Sequence, residues 1–188
     1  NFTATSSTQD SDLLIAIGVR FDDRVTANPD LFAQNAKVIH ADIDPAEIGK
    51  VREAQVPIVG DAKNVLIGLM EALKGSELDT ASWINDLKEM KKNFPLSYDQ
   101  KNDGPLKVPY VLEQLQNLTE EEAVVVSGVG QHQMWISQHW NFTEPNTWLN
   151  SGGLGTMGYS LPASIGAQTA FPDKLVLALD GDGCFQMT

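Results

Sequence analysis

The chain has 188 residues, 42% of them hydrophobic and 20% charged, with a formal net charge of -12. That length suits one domain or two small ones with a proper apolar core. The acidity argues against a nucleic-acid or anionic-membrane surface, since both need clustered Lys and Arg. No apolar run approaches the roughly 20 residues that span a bilayer, so neither membrane nor nucleic acid is expected as a partner.

The opening NFTATSSTQDSD lacks the basic and apolar regions of a signal peptide and an initiator Met, so the start is expected to be a cut. The single cysteine, Cys184, fits a reducing compartment. Sequons at Asn1, Asn117 and Asn141 carry no meaning without a secretory signal.

Asp12 to Gly18 and Lys37 to Asp44 are short apolar runs closed by glycine or acids, which predicts buried parallel strands. Asn28 to Gln34 reads as one short helix, and Pro45 to Lys50 as a turn or short helix. Val56 to Gly60 is a third strand, and Asp61 is a natural N-cap for a helix with Val65, Leu66, Leu69 and Leu73 on one face. This β-α-β rhythm predicts an α/β, Rossmann-like half over residues 1–75. Residues 76–105 read as a linker holding one lysine-rich amphipathic helix, Trp83 to Phe94, with a domain boundary near residue 100.

The second half, 106–188, starts with a helix over Val108 to Leu118. Ala123 to Ser127 is a strand leading into Gly128-Val-Gly130. Ser151 to Gly158 is a glycine-rich loop before a small-residue helix, Leu161 to Ala170. Leu175 to Leu179 is a strand running into Asp180-Gly181-Asp182-Gly183. Parallel sheets bind ligands beyond the carboxyl ends of their strands, and glycines there let backbone amides approach phosphate oxygens. A carboxylate beside phosphates is repulsive unless a cation lies between, and magnesium is such a cation. The DGDG run therefore reads as a diphosphate-metal site, and with equal weight as a plain β-turn.

The order of GVGQHQMW (Gly128 to Trp135), SGGLGTMGYSLPASIGA (Ser151 to Ala167) and LDGDGCFQM (Leu179 to Met187) resembles the thiamine-diphosphate enzymes. Within them, IAIGVRFDDRVT (Ile15 to Thr26), IDPAEIGK (Ile43 to Lys50) and PIVGDA (Pro57 to Ala62) are similar to the acetolactate synthase catalytic subunits. The resemblance implies two incomplete Rossmann-like parallel-sheet domains. These are the end of a central FAD-binding domain and the start of a truncated pyrophosphate-binding domain. It also implies that the glutamate activating the cofactor, and an asparagine completing the metal site, lie outside this chain, which alone would be inactive.

By the same resemblance, Asp182 is the magnesium ligand, and Gly130, Gln131, His132, Gly155, Gly158, Gly181, Gly183 and Cys184 hold thiamine diphosphate. Met157 and Met187 position the bent cofactor. Without the resemblance, His132 is a satisfied loop histidine and both methionines are core filling. FAD is implied at Gly18, Val19, Arg20, Phe21, Asp22, Asp23 and Arg24, at Asp42, Ile43 and Asp44, and at Gly60 and Asp61. Three departures stand out: Cys184 where serine is commoner, Ala27 where glycine commonly follows RVT, and the unmatched start NFTATSSTQ.

The implied reaction is decarboxylation of pyruvate and condensation with a second 2-oxo acid, pyruvate or 2-oxobutanoate. It leads to branched-chain amino acids. The implied assembly is a homodimer or homotetramer with a small regulatory subunit. The implied compartment is the cytoplasm of a bacterium, or a plastid or mitochondrion. Rival readings are pyruvate oxidase, glyoxylate carboligase, or a nucleotide-binding module without catalysis.

Overall fold

The computed structural model describes residues 1–119 and 122–188. They form two compact units, Asn1–Pro95 and Leu96–Thr188. Both are α/β units built on a small parallel sheet.

The first unit opens with helix α1 (Phe2–Asp10), whose first turn is capped by the Asn1 side chain accepting from Thr3 N–H at 3.1 Å. Strand β1 (Leu13–Ile17) follows, then helix α2 (Asp23–Thr26), strand β2 (Lys37–Asp42), strand β3 (Val56–Val59), helix α3 (Ala62–Ala72) and helix α4 (Ala81–Asn93). The strands lie in the order β1-β2-β3, all parallel, with Leu13 opposite Lys37 and Asp42 opposite Val59. Asp61 caps α3 as expected, accepting from the N–H groups of Lys63 and Asn64.

Three expectations change here. The segment read as a helix over 28–34 is only a single 3-10 turn, Pro29–Leu31, ended where Ala33 takes a positive φ of 42°. The lysine-rich helix belongs to the first unit, where Phe94 at its end stacks on Phe2 with ring centroids 4.1 Å apart. Strand β1 is buried on one face only: Ala16 joins the core of Phe21, Phe32, Ala33, Ala36 and Val38, while Ile15 is 51% exposed. A continuous apolar run does not by itself mean burial on both faces.

In the second unit, helix α5 (Val108–Leu118) leads to strand β4 (Val124–Ser127), helix α6 (Gln131–His139), strand β5 (Trp148–Asn150), helix α7 (Ser160–Ala170), strand β6 (Val176–Leu179) and the one-turn helix α8 (Asp182–Phe185). Strand β4 is central, in the parallel order β5-β4-β6, and all four of its residues are buried. Helices α5 and α6 cover one face through Leu112, Val125, Ile136 and Trp140. Helix α7 covers the other through Val124, Val126 and Ala167. Strand β4, unlike β1, is therefore covered on both faces. Among the described residues, no helix is long and apolar enough to cross a membrane.

Candidate functional site

In each unit the carboxyl ends of the parallel strands gather the residues singled out in the sequence. In the first unit, Gly18 ends β1 at a positive φ of 64°, and its N–H bonds to Ala41 C=O at 2.9 Å. Gly60 N–H bonds likewise to Asp42 C=O at 2.9 Å. Gly18, Asp42, Ile43, Gly60 and Asp61 then line one cavity of about 190 Å³. Asp42 is half-buried there, its carboxylate turned onto the N–H of Asp44 at 2.9 Å. Asp44 itself is exposed and accepts from Ala46 N–H.

The neighbouring loop divides between structure and surface. The ring of Phe21 is buried in the core against Phe32 and His40, which leaves only its backbone to a ligand. Val19 C=O accepts from His40 Nε2 at 2.8 Å. Asp22 caps α2 and reaches Arg20 at 3.4 Å, while Asp23 and Arg24 form a fully solvated pair at 3.0 Å. Arg20 and Arg24 therefore stay available to an anion, because pairs so exposed hold their partners weakly. None of residues 19–24 lines the cavity itself.

The second unit makes a tighter construction. Strands β4 and β6 end side by side, with Gly128 N–H bonded to Leu179 C=O at 3.1 Å. Gly130 takes φ 154° to launch α6, which places Gln131 exposed on its first turn and His132 half-buried behind it. The ring of His132 lies 3.4 Å from where a Cβ on Gly181 would stand, and 2.9 Å from where one on Gly128 would stand. Glycine is required at Gly128, where a Cβ would clash, while a Cβ at Gly181 would only touch the imidazole.

Two of the candidate positions form an inner wall. Cys184 is buried and its thiol donates to Val129 C=O at 3.0 Å. Gly158, at φ 86°, packs where a Cβ would meet Met187 C=O at 2.7 Å. Others sit on the outer surface: Asp182 is exposed at the start of α8, Met157 is 41% exposed and Met187 62% exposed. The Met157 methyl lies 3.7 Å from a Cβ position on Gly183, so loop 151–158 and the GDG turn meet through it. Gly155 stands further out in the same loop at φ 65°.

The residue that the sequence did not single out is Asp180. Its side chain is only 8% exposed, yet it accepts from Ser160 Oγ and, at 3.0 Å, from Gly181 N–H. His132 Nε2 lies 3.5 Å from its Oδ1. The only available signal was its place as the first acid of DGDG. Which of two acids faces inward follows from the strand's register, which sequence leaves open.

Phosphate fits this arrangement. Glycine turns free of Cβ atoms, a half-buried imidazole with an unmet Nε2 and an outward carboxylate for a hard cation are what a magnesium-bridged diphosphate needs. A doubly covered parallel sheet with such a cradle at its strand ends belongs to the class that binds phosphorylated cofactors.

Comparison with known proteins narrows that class. Residues 128–188 match the thiamine pyrophosphate enzyme C-terminal TPP binding domain, and residues 1–69 match the thiamine pyrophosphate enzyme central domain. The chain is 54% identical over 189 residues to the acetolactate synthase large subunit of Corynebacterium glutamicum, covering 99% of this chain and 30% of that protein. It is 55% identical over 189 residues to acetolactate synthase of Mycobacterium leprae, covering 98% of this chain and 30% of that protein. Identity to the chloroplastic acetolactate synthase of Arabidopsis thaliana is 47% over 189 residues, covering 98% of this chain and 28% of that protein. The chain belongs to the thiamine pyrophosphate enzyme family. It spans about 30% of the length of the curated relatives it matches.

Proposed function

We propose that this chain supplies the diphosphate cradle and part of a flavin site of an acetolactate synthase catalytic subunit. The observation that supports this most is the convergence of the Gly128–Gly130 turn, His132, loop 151–158 and the GDG turn at one end of a parallel sheet. The high identity to proteins named acetolactate synthase supports acetolactate formation as the reaction the cradle serves.

On this reading Gly130, Gln131, His132, Gly181, Gly183 and the wall at Cys184 hold the diphosphate, and Asp182 holds magnesium. When bound, thiamine diphosphate supplies a carbanion centre at which a 2-oxo acid loses carbon dioxide. The chain's own contribution is orientation. The backbone at Gly155 and Gly158 fixes the loop, and Met157 presents an exposed thioether across from the GDG turn. Met187 adds a second apolar wall. FAD belongs on the rim formed by Gly18, Asp42, Ile43, Gly60 and Asp61, with Arg20 and Arg24 near its phosphates. The substrates are pyruvate, with pyruvate or 2-oxobutanoate as acceptor. The assembly is a homodimer or homotetramer joined by a small regulatory subunit.

The test uses the full-length product of the gene that encodes this sequence. Given pyruvate, thiamine diphosphate and magnesium, it should form 2-acetolactate and should be purified with FAD. A folded product that consumes pyruvate without forming a carbon–carbon bond would refute the assignment.

A further inference from the structure

Asp180, His132 and Cys184 come from three different segments: the end of β6, the first turn of α6 and the interior of α8. One ligand atom from each, a carboxylate oxygen, an imidazole nitrogen and Sγ, lies within 4.8 Å of the other two. Cys184 is buried at 2% exposed, and the half-buried residues Asp180 and His132 have side chains 8% and 18% exposed. His132 Nε2 is within ion-pair distance of Asp180, but it is a buried nitrogen without a hydrogen-bond partner. An imidazole nitrogen left unmet beside a carboxylate and a thiol is an unusual expense for a fold, and a cation would satisfy all three at once.

We propose that His132, Asp180 and Cys184 form a binding site for a thiophilic divalent cation of the zinc type. The site is distinct in ligand chemistry from the magnesium expected at Asp182. Mixed nitrogen, oxygen and sulfur donors select zinc over magnesium, which takes oxygen ligands. At zinc's bond lengths, tetrahedral ligands stand about 3.3 to 3.6 Å apart. His132 Nε2 and Asp180 Oδ1 already stand 3.5 Å apart. Cys184 must leave its bond to Val129 C=O and close on the other two ligands from within 4.8 Å, and its thiol proton passes to solvent as the sulfur binds. Three protein ligands leave a fourth position, which water or a phosphate oxygen can fill. Because His132 also belongs to the proposed diphosphate cradle, zinc and thiamine diphosphate would compete.

The test is a titration of the full-length protein with Co2+ alone. The chain holds a single cysteine, so within it a thiolate-to-cobalt charge-transfer band reports Cys184. The band should appear, should be lost on addition of zinc but not of magnesium, and should vanish in Cys184→Ser. A sulfur contributed by the rest of the full-length protein is excluded by that variant. His132→Ala and Asp180→Asn should each weaken cobalt binding at least about tenfold. X-ray absorption of the zinc-loaded wild-type protein provides a measurement that needs no variant, and should show one sulfur among nitrogen and oxygen neighbours. Absence of the band, a shell of oxygen and nitrogen alone, or a band unmoved by both His132→Ala and Asp180→Asn overturns the site. Thiamine diphosphate with magnesium, added to cobalt-loaded protein, separates the two readings. Displacement supports both, while retained cobalt supports the metal site and counts against diphosphate at His132. No cobalt band with intact cofactor binding overturns the metal site alone.

Discussion

Gly128 is pressed against the carboxylate of Asp180: a Cβ at Gly128 would stand 1.8 Å from Asp180 Oδ1. The contact joins the ends of β4 and β6, the two strands that carry the glycine turns. Asp180 cannot retreat, because Ser160 Oγ and Gly181 N–H hold its oxygens from the other side. Gly128→Ala should therefore cost about 1 to 3 kcal/mol of stability, as overpacking of a tight interior does. It should also weaken thiamine diphosphate binding by displacing His132. A denaturant melt and a cofactor titration on the same variant check both, and an alanine variant of unchanged stability would show that Asp180 is free to move.

Met157 is 41% exposed, so little of its side chain serves the core. Met157→Ala should change stability by less than about 1 kcal/mol, well below the 2 to 5 kcal/mol of a buried methionine. If the side chain positions the cofactor, turnover in the full-length enzyme should fall far more than affinity for thiamine diphosphate. Equal losses in both would make it a binding contact instead.

The parallel strands other than β5 were legible, though not their order, because short apolar runs ending in Gly or Asp signal such strands directly. The glycine turns were legible too: a side chain is excluded by the close approaches at Gly128 and Gly158. Helix α1 was not. Its sequence FTATSSTQD is rich in poor helix formers, and what secures it is tertiary: Phe2 on Phe94, and Gln9 Oε1 accepting from Ala33 N–H at 2.7 Å. Strand β5 was hidden too, since three residues, Trp148 to Asn150, carry no periodicity, and it is held by the ladder to β4. The inward turn of Asp180 and the meeting of His132 with Cys184 depend on register and on contacts distant in sequence. Local pattern does not encode either.

Ala27 occupies φ 53°, ψ -93°, a region that β-carbons oppose. Its N–H closes the end of α2 on Asp23 C=O at 2.8 Å, which holds the residue there. This gives a physical reason for the glycine common after RVT in the family it resembles. Ala27→Gly should relieve the strain and raise stability by about 1 kcal/mol, the low end of the usual cost of such conformations. The gain is trimmed by the freedom that glycine adds to the unfolded chain. Thermal unfolding of the two forms checks the sign, and a lower melting temperature for the glycine form would mean the turn is not strained.

Tyr98 donates its hydroxyl proton to the carboxylate of Glu113 on α5, and its ring meets His139 edge-on at 5.9 Å. The hydrogen bond to Glu113 is the main reason its phenol is pushed up from 10.0 to about 12, with smaller contributions from desolvation and the negative charge nearby. The bond needs the protonated phenol, so its stabilising effect is fully present below the ordinary tyrosine range near 10 and is lost as pH rises through about 12. The chain holds three tyrosines. An ultraviolet titration should therefore show one of them ionising late, near pH 12, provided the fold persists there. Glu113→Gln removes both the acceptor charge and the repulsion of the phenolate, and should return that step toward 10. The same substitution should leave the melting temperature at pH 7 only slightly lower, because the pair lies on the surface. A late step that persists in Glu113→Gln would assign it to a tyrosine other than Tyr98.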